Sequence, residues 1–168
     1  MKQIKLVALF VMLASAAFAQ GTLGKGSKQL NAGVGFSNWG TPIYVGLDFG
    51  VHESITIGPK FSYRKHNDKI STYEFNETLI VIGFNGNYHF NQLLSLPEPL
   101  DIYAGLTIGY YIWSVNEYSG PGSVGHASGI GLDAQIGIRY FLSDKFGLNL
   151  EFGGGYGSGG SFGVTVKL

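Results

Sequence analysis

Eight stretches of this chain alternate apolar residues with small or polar ones over about nine to fourteen positions each, and Asp101 to Tyr111 shows the pattern most plainly. Ile102, Ala104, Leu106 and Ile108 point to one side of that stretch, and Tyr103, Gly105, Thr107 and Gly109 to the other, because side chains in a strand have a period of two. The repetition confines the chain to an all-β fold with two chemically different faces. Strands are expected over 28–37, 43–51, 54–63, 78–90, 100–112, 128–141, 146–154 and 160–168. An even number of such strands closes into an antiparallel up-and-down barrel, and each is near the ~9 to 11 residues that a tilted strand needs to cross a bilayer.

Alternation alone does not say which face is outside, since a soluble ligand-binding barrel has the same period with its apolar face inward. Position along the strands separates the two cases. Mid-strand residues of the apolar face are aliphatic, among them Val34, Val45, Leu47, Ile82, Leu106, Leu132, Ile136 and Val164. Aromatic residues of that face gather at the ends: Phe49, Tyr88, Phe90, Tyr140 and Phe146 at one, Phe36, Phe61, Tyr63, Tyr110, Phe152 and Phe162 at the other. Two aromatic girdles around an aliphatic band are what two membrane interfaces select, whereas a packed soluble core has no reason to sort residues by height. The expected fold is an eight-stranded antiparallel transmembrane β-barrel over residues 28–168.

The N-terminus agrees with export. Lys2 and Lys5 precede an uncharged run from Leu6 to Leu13 and the small-x-small site Ala17-Phe18-Ala19, so residues 1–19 read as a cleaved signal peptide and 20–27 as an N-terminal periplasmic segment. The apolar run falls short of the ~20 residues of a membrane helix. With the first strand starting in the periplasm, connectors 38–42, 64–77, 113–127 and 155–159 lie outside the cell, and His52-Glu53, 91–99 and Leu142 to Lys145 face the periplasm. The absence of cysteine excludes disulfides, thiolate metal sites and cysteine nucleophiles. Removing Lys2 and Lys5 leaves nine basic against eleven acidic residues, a balance that does not point to nucleic acid.

The polar phase carries Asp48, Lys60, Asp101, Asp133, Gln135, Arg139, Asn149, Glu151 and Lys167, together with glycines such as Gly33, Gly46, Gly58, Gly105 and Gly137. A charge facing lipid near the bilayer midplane costs ~2 to 4 kcal/mol, so these residues must face the lumen. Glycine weakens an ordinary strand, and its repeated use on one face implies a need for little volume or sharp curvature there. Two readings of the charges are open. Asp48, Lys60, Asp101, Asp133, Arg139 and Glu151 form a lumen-filling network of salt bridges and hydrogen bonds, or Lys60, Asp133, Arg139 and Glu151 form a switchable constriction for ions. Pro59 lies on the apolar face of the third strand and cannot donate to the ladder, so a bulge or a different register is expected there.

Read as a whole, the chain after Gln20 resembles the small eight-stranded outer-membrane barrels of the Bacteroidota type, the porin-family proteins. The resemblance rests on Asp101-Ile-Tyr-Ala-Gly-Leu-Thr-Ile-Gly-Tyr110, on Gly137-Ile-Arg-Tyr-Phe-Leu-Ser-Asp-Lys-Phe-Gly147 and on Tyr88-His-Phe90. It implies a monomer in outer-membrane lipid and lipopolysaccharide, no cofactor, and a structural or surface-interaction role rather than catalysis. The last strand, with Phe162, Val164, Val166 and Leu168 on one face, resembles the signal read by the barrel-assembly machinery, although it ends in leucine where an aromatic residue is usual.

Four local features invite chemistry. His126 and Ser128 share the phase of Ile130 and hence the outer face, an arrangement similar to the site of lipid A deacylases, but Gly129 stands where asparagine is expected and no later acid is suitably placed. Gly24-Lys-Gly-Ser27 is a fragment of a phosphate loop that follows no strand. Arg64, Lys65, His66 and Lys69 beside Asp68 form either a solvated tip or a contact for lipopolysaccharide phosphates. His52, His66, His89 and His126 show no metal-ligand spacing, so no metal site is expected.

Overall fold

The computed structural model describes residues 23–37, 39–70, 73–118, 125–157 and 159–168. The expected signal peptide lies outside the described residues. Eight strands follow in order: β1 (Lys28–Phe36), β2 (Ile43–His52), β3 (Ile55–Ile70), β4 (Tyr73–His89), β5 (Leu100–Tyr118), β6 (Gly129–Phe141), β7 (Phe146–Gly155) and β8 (Gly159–Lys167). A single helical turn, α1 (Asn91–Leu94), sits between β4 and β5. Each strand pairs antiparallel with its sequence neighbour, and β1 closes the barrel on β8 from Gln29↔Lys167 to Phe36↔Gly160. Closure leaves no unpaired edge, the condition for placing backbone in hydrocarbon.

Three strands are longer than expected, and two expected loops are corrected by this. β3, β4 and β5 have 16, 17 and 19 residues, so most of 64–77 and the first part of 113–127 continue the ladder. Pairing runs from Arg64↔Leu79 to Ile70↔Tyr73. At ~3.3 Å per residue the longest strand extends about 60 Å, well beyond a hydrocarbon core of ~30 Å even when tilted. Above the membrane both faces of a strand can meet water, so the apolar alternation fades while backbone pairing continues. Polar composition therefore marked these segments as loops when they are strands.

The two faces are sorted as expected. Val34, Ile43, Val45, Ile82, Leu106, Ile108, Ile130, Leu132 and Ile136 are exposed on the outer wall. Among the aromatic positions, Phe36, Phe61, Tyr63, Tyr88, Tyr110, Tyr140, Phe146, Phe152 and Phe162 are exposed outward, and Phe49 and Phe90 are partly so. Phe84, opposite Pro59 on β4, is an exposed aromatic at mid-strand and departs from the purely aliphatic middle. Gln29, Asn31, Asp48, Thr56, Asn85, Asn87, Asp101, Thr107, Gln135, Arg139, Asn149 and Thr165 are buried within. A wall that is apolar outside and polar inside is the inverse of a soluble barrel.

Pro59 does not bring the expected bulge. The register with β4 is unbroken through Gly58↔Asn85, Pro59↔Phe84 and Lys60↔Gly83. With β2 the count is kept from Gly46↔Lys60 to Phe49↔Ile57, but no pairing is made across Leu47 and Asp48. Proline lacks the N–H but does not need an extra residue, so the ladder lapses without slipping. The register shifts lie elsewhere, at Gly50/His52 and at Asn76/Glu77.

Inner glycines make room for inner tyrosines. Tyr103 pairs across the ladder with Gly137, where a Cβ would meet its ring at 2.2 Å. Tyr44 pairs with Gly33 and reaches Gly163, and Tyr111 covers Gly131. These rings occupy the lumen that the glycines vacate, as large residues do when they pack across glycine in a narrow barrel.

Candidate functional site: the lumen and its outer mouth

The deepest layer of the lumen is built on Arg139 of β6, which is 3% exposed. Its Nη2 donates to Asp48 Oδ2 at 3.0 Å and its Nη1 to Asp101 Oδ2 at 3.1 Å. Asp48 also accepts from Gln29 Nε2, Asn31 Nδ2 and Asn85 Nδ2 at 2.9 to 3.1 Å. Asp101 Oδ1 lies 2.7 Å from His89 Nδ1, and His89 Nε2 lies 3.0 Å from Thr56 Oγ1. A carboxylate can only accept, so Nδ1 carries the proton, and in the neutral ring Nε2 accepts from the threonine hydroxyl. Buried charges survive only when paired and hydrogen-bonded in this way.

The next layer seals the first. The Tyr103 ring lies 4.1 Å from the Arg139 guanidinium, and its hydroxyl donates to Glu151 Oε2 at 3.0 Å. Glu151 Oε1 pairs with Lys60 Nζ. Tyr44 donates to Asn149, which continues through Thr165 to Asn31 and so returns to the lower layer. The space left between Tyr44, Tyr103, Arg139 and Glu151 is about 20 Å³, room for a water or two.

Above this floor a chamber of about 90 Å³ is lined by Tyr44, Lys60, Ser62, Thr107, Gln135 and Ser161 among others. Asp133 stands on its wall, accepting from Tyr111 and from the Gly157 N–H at 2.8 Å. The expected charges are thus split into separate groups. Asp48, Asp101 and Arg139 are bonded together, Lys60 and Glu151 pair above them, and Asp133 belongs to the upper chamber. Of the four residues of the expected constriction, Lys60, Asp133 and Glu151 line the chamber together, and Arg139 lies in the floor below them.

The mouth is lined by stacked rings from four parts of the chain. Trp39, before β2, stacks on His66 of β3 at 4.7 Å and meets Trp113 of β5 edge to face at 4.8 Å. Trp113 stacks on His126 at 4.3 Å. His126 Nδ1 bonds Glu77 Oε2 at 3.0 Å, and its backbone N–H donates to Glu77 Oε1 at 2.8 Å. Glu77 is fully buried, so the His126 ring turns from the outer phase that its sequence position implied. Residues 125–128 are not strand, which frees the ring from the alternation. Ser128 Oγ instead accepts from the Trp113 N–H and donates to the Trp113 carbonyl. The His126 and Ser128 side chains therefore serve separate partners.

The remaining motifs also find structural places. Gly24 to Ser27 is a turn, closed by Ser27 N–H to Gly24 O at 3.1 Å, that packs on the Gly50 carbonyl through Gly26 N–H. Arg64 is not at a solvated tip: it is 8% exposed and points into the barrel between Ser37 and Gly157. Lys65 is exposed, His66 lies on Trp39, and the side chains of Asp68 and Lys69 lie outside the described residues. Among the described residues no group of three acidic, histidine or cysteine side chains is placed to hold a metal. Sequence reasoning missed Glu77, weighed His89 only as a metal ligand, and set Arg64 at a solvated tip or a phosphate contact rather than inside the barrel. His89 shares the phase of Asn85 and Asn87, which was signal enough, while Arg64 and Glu77 were hidden by the loop assignment.

A closed eight-stranded antiparallel barrel with an apolar outer wall and a hydrogen-bonded polar lumen defines the transmembrane β-barrel class. The chain is similar in fold to outer-membrane protein OprG from Pseudomonas aeruginosa, with a TM-score of 0.64 and 10% identity over 89% of this chain and 99% of that one. It is similar likewise to the N-terminal β-barrel domain of Pseudomonas aeruginosa OprF, with a TM-score of 0.56 and 14% identity over 87% of this chain and 100% of that one. Neisserial surface protein A matches with a TM-score of 0.55 and 18% identity over 84% and 95% of the two chains. No family model matches the chain, and no curated protein matches it.

Proposed function

We propose that this protein is a monomeric, non-catalytic barrel of the outer membrane, exported through a cleaved signal peptide, that serves a structural or surface-interaction role. The observation that carries this reading is the bonded floor of Arg139, Asp48, Asp101, Tyr103, Lys60 and Glu151, which leaves a space of only about 20 Å³ among its side chains. The aromatic rings at the two ends of the outer wall serve as interfacial girdles in outer-membrane lipid and lipopolysaccharide, and the β8 face of Phe162, Val164 and Val166 is the surface offered to the barrel-assembly machinery. The sequence motifs favour the Bacteroidota-type porin family as its kin. Planar-bilayer recording of the purified protein is expected to show no reproducible unit conductance. Steps that change on Lys60→Ala or Arg139→Ala would refute the sealed lumen.

A narrow ion or solute path is the second reading, and the chamber of about 90 Å³ above the floor favours it. Opening it would require the Lys60–Glu151 pair and the Tyr103 ring to move together. The lipid A-modifying reading is weaker, since His126 and Ser128 bond to different partners. Mass spectrometry of lipid A from cells with and without the protein is expected to give the same profile, and a lost acyl chain that returns on Ser128→Ala would overturn the non-catalytic assignment.

A further inference from the structure

The chain has two tryptophans, Trp39 and Trp113, and both line one cleft of about 760 Å³ at the outer mouth, with Ser37, Arg64 and Tyr156. Arg64 lines this cleft and the chamber below it, so it stands where one opens on the other. Its bonds to Ser37 Oγ at 3.3 Å and to the Gly157 carbonyl at 3.2 Å are long and go to neutral acceptors. Its Nε is buried and makes no hydrogen bond. Asp133, on the same chamber wall, has its oxygens taken by the Tyr111 hydroxyl and the Gly157 N–H, so it balances charge without filling the guanidinium donors. A guanidinium offers five N–H groups in a planar fork that fits an oxyanion, and an incoming anion would replace two long neutral bonds by charge-assisted ones.

We propose that the cleft binds a small anionic sugar, with its carboxylate, sulfate or phosphate on Arg64 and its ring against the aromatic wall that Trp39, Trp113 and Tyr156 form. Aromatic rings pack on the C–H faces of a sugar, and Tyr156, exposed on the same cleft wall, adds a third ring. The site deepens the surface-interaction reading and rests on it for the side from which the ligand arrives. Binding to the purified barrel tests the site without reference to conductance, so the two readings fail separately.

Because both tryptophans line the cleft, intrinsic fluorescence reports on it directly. The folded protein in detergent micelles is titrated at constant ionic strength with glucuronate, glucose 6-sulfate, glucose and sodium sulfate. Saturable changes are expected with both anionic sugars, with glucose and sulfate at least ~10-fold weaker, because neither supplies both contacts. Arg64→Gln should weaken glucuronate by at least ~10-fold, while Lys65→Gln, at an exposed neighbour, should leave it unchanged. No saturable change in the native protein overturns the proposal, as does an Arg64→Gln protein that binds as tightly. Glucose binding as well as glucuronate removes the anion from the recognition, and sulfate alone binding as well removes the sugar; either overturns it. Heat-modifiable gel migration checks the fold of each variant, and should Arg64→Gln not fold, Arg64→Lys, which lacks Nε and the fork, is expected to weaken glucuronate in the same direction.

Discussion

Arg139→Met is expected to destabilise the barrel by about 3 to 5 kcal/mol, because it leaves two buried carboxylates facing each other without the cation between them. Asp48 and Asp101 are each 1% exposed and both bond the same guanidinium. Neither can recover water by a side-chain rotation. Urea unfolding in lipid vesicles, followed by tryptophan fluorescence, measures the loss. Lys60→Met is the internal comparison: that pair is 24% and 18% exposed at its two side chains, so its removal should cost nearer ~1 kcal/mol. Adding Asp48→Asn and Asp101→Asn to Arg139→Met should restore much of the stability, since removing both signs of a buried pair is far less costly than removing one. An Arg139→Met protein that unfolds within ~1 kcal/mol of the native one would show that water reaches this layer and that the floor is not sealed.

Gly58→Ala is expected to be as damaging as the loss of Arg139, and Gly46→Ala to be tolerated, although both glycines lie on the lumen phase of adjacent strands. A Cβ at Gly58 would sit 1.7 Å from the Leu47 carbonyl oxygen, an atom of the backbone. One at Gly46 meets nothing nearer than the Pro59 oxygen at 3.5 Å. The difference lies beside Pro59, where the β2–β3 ladder makes no pairing across Leu47 and Asp48 and the two backbones crowd together. Only the strands themselves can relieve that clash, so about 3 kcal/mol or more of strain is expected. Gly46→Ala adds one methyl and reduces the freedom of the unfolded chain, for a change of about 0.5 to 1 kcal/mol in either direction. Folding yield into vesicles, read by the heat-modifiable gel shift, separates the two; equal yields would contradict the close approach at Gly58.

Much of the architecture was legible because the barrel wall repeats one rule. Each strand must present apolar residues to one side and polar or small ones to the other, and a charge placed on the wrong side costs more than local propensity can offset. That is why β1, β2, β6, β7 and β8 were found within a residue or two of their ends. The rule stops at the membrane surface. β3, β4 and β5 run past it, and there Arg64 to Lys69 pair as strand without any apolar pattern to announce them. The same limit hid Arg64 and Glu77, whose inward direction depends on β3 and β4 continuing as strands.

The charges illustrate a second limit. Alternation placed Asp48, Lys60, Asp101, Asp133, Arg139 and Glu151 inside, but it carries no information about which of them meet. Arg139 bonds Asp48 across the barrel from a residue 91 positions away in sequence, and Lys60 bonds Glu151 across an equal separation. These pairings follow from strand tilt and the register of eight ladders together. His89 joined the cluster for the same reason, and His126 left the outer face because it lies just before β6, where the period of two does not yet bind it.

The amino-acid sequence by itself determined the strand count, the two faces and the sealing of polar residues inside, since each of these is set by local chemistry repeated along the chain. Only the tertiary structure decided which carboxylates share Arg139, that Lys60 and Glu151 pair above them, and that Trp39, Trp113 and Arg64 line one cleft. Those are relations between strands distant in sequence, and they exist only once closure of β1 on β8 fixes the height of every residue against its neighbours across the lumen.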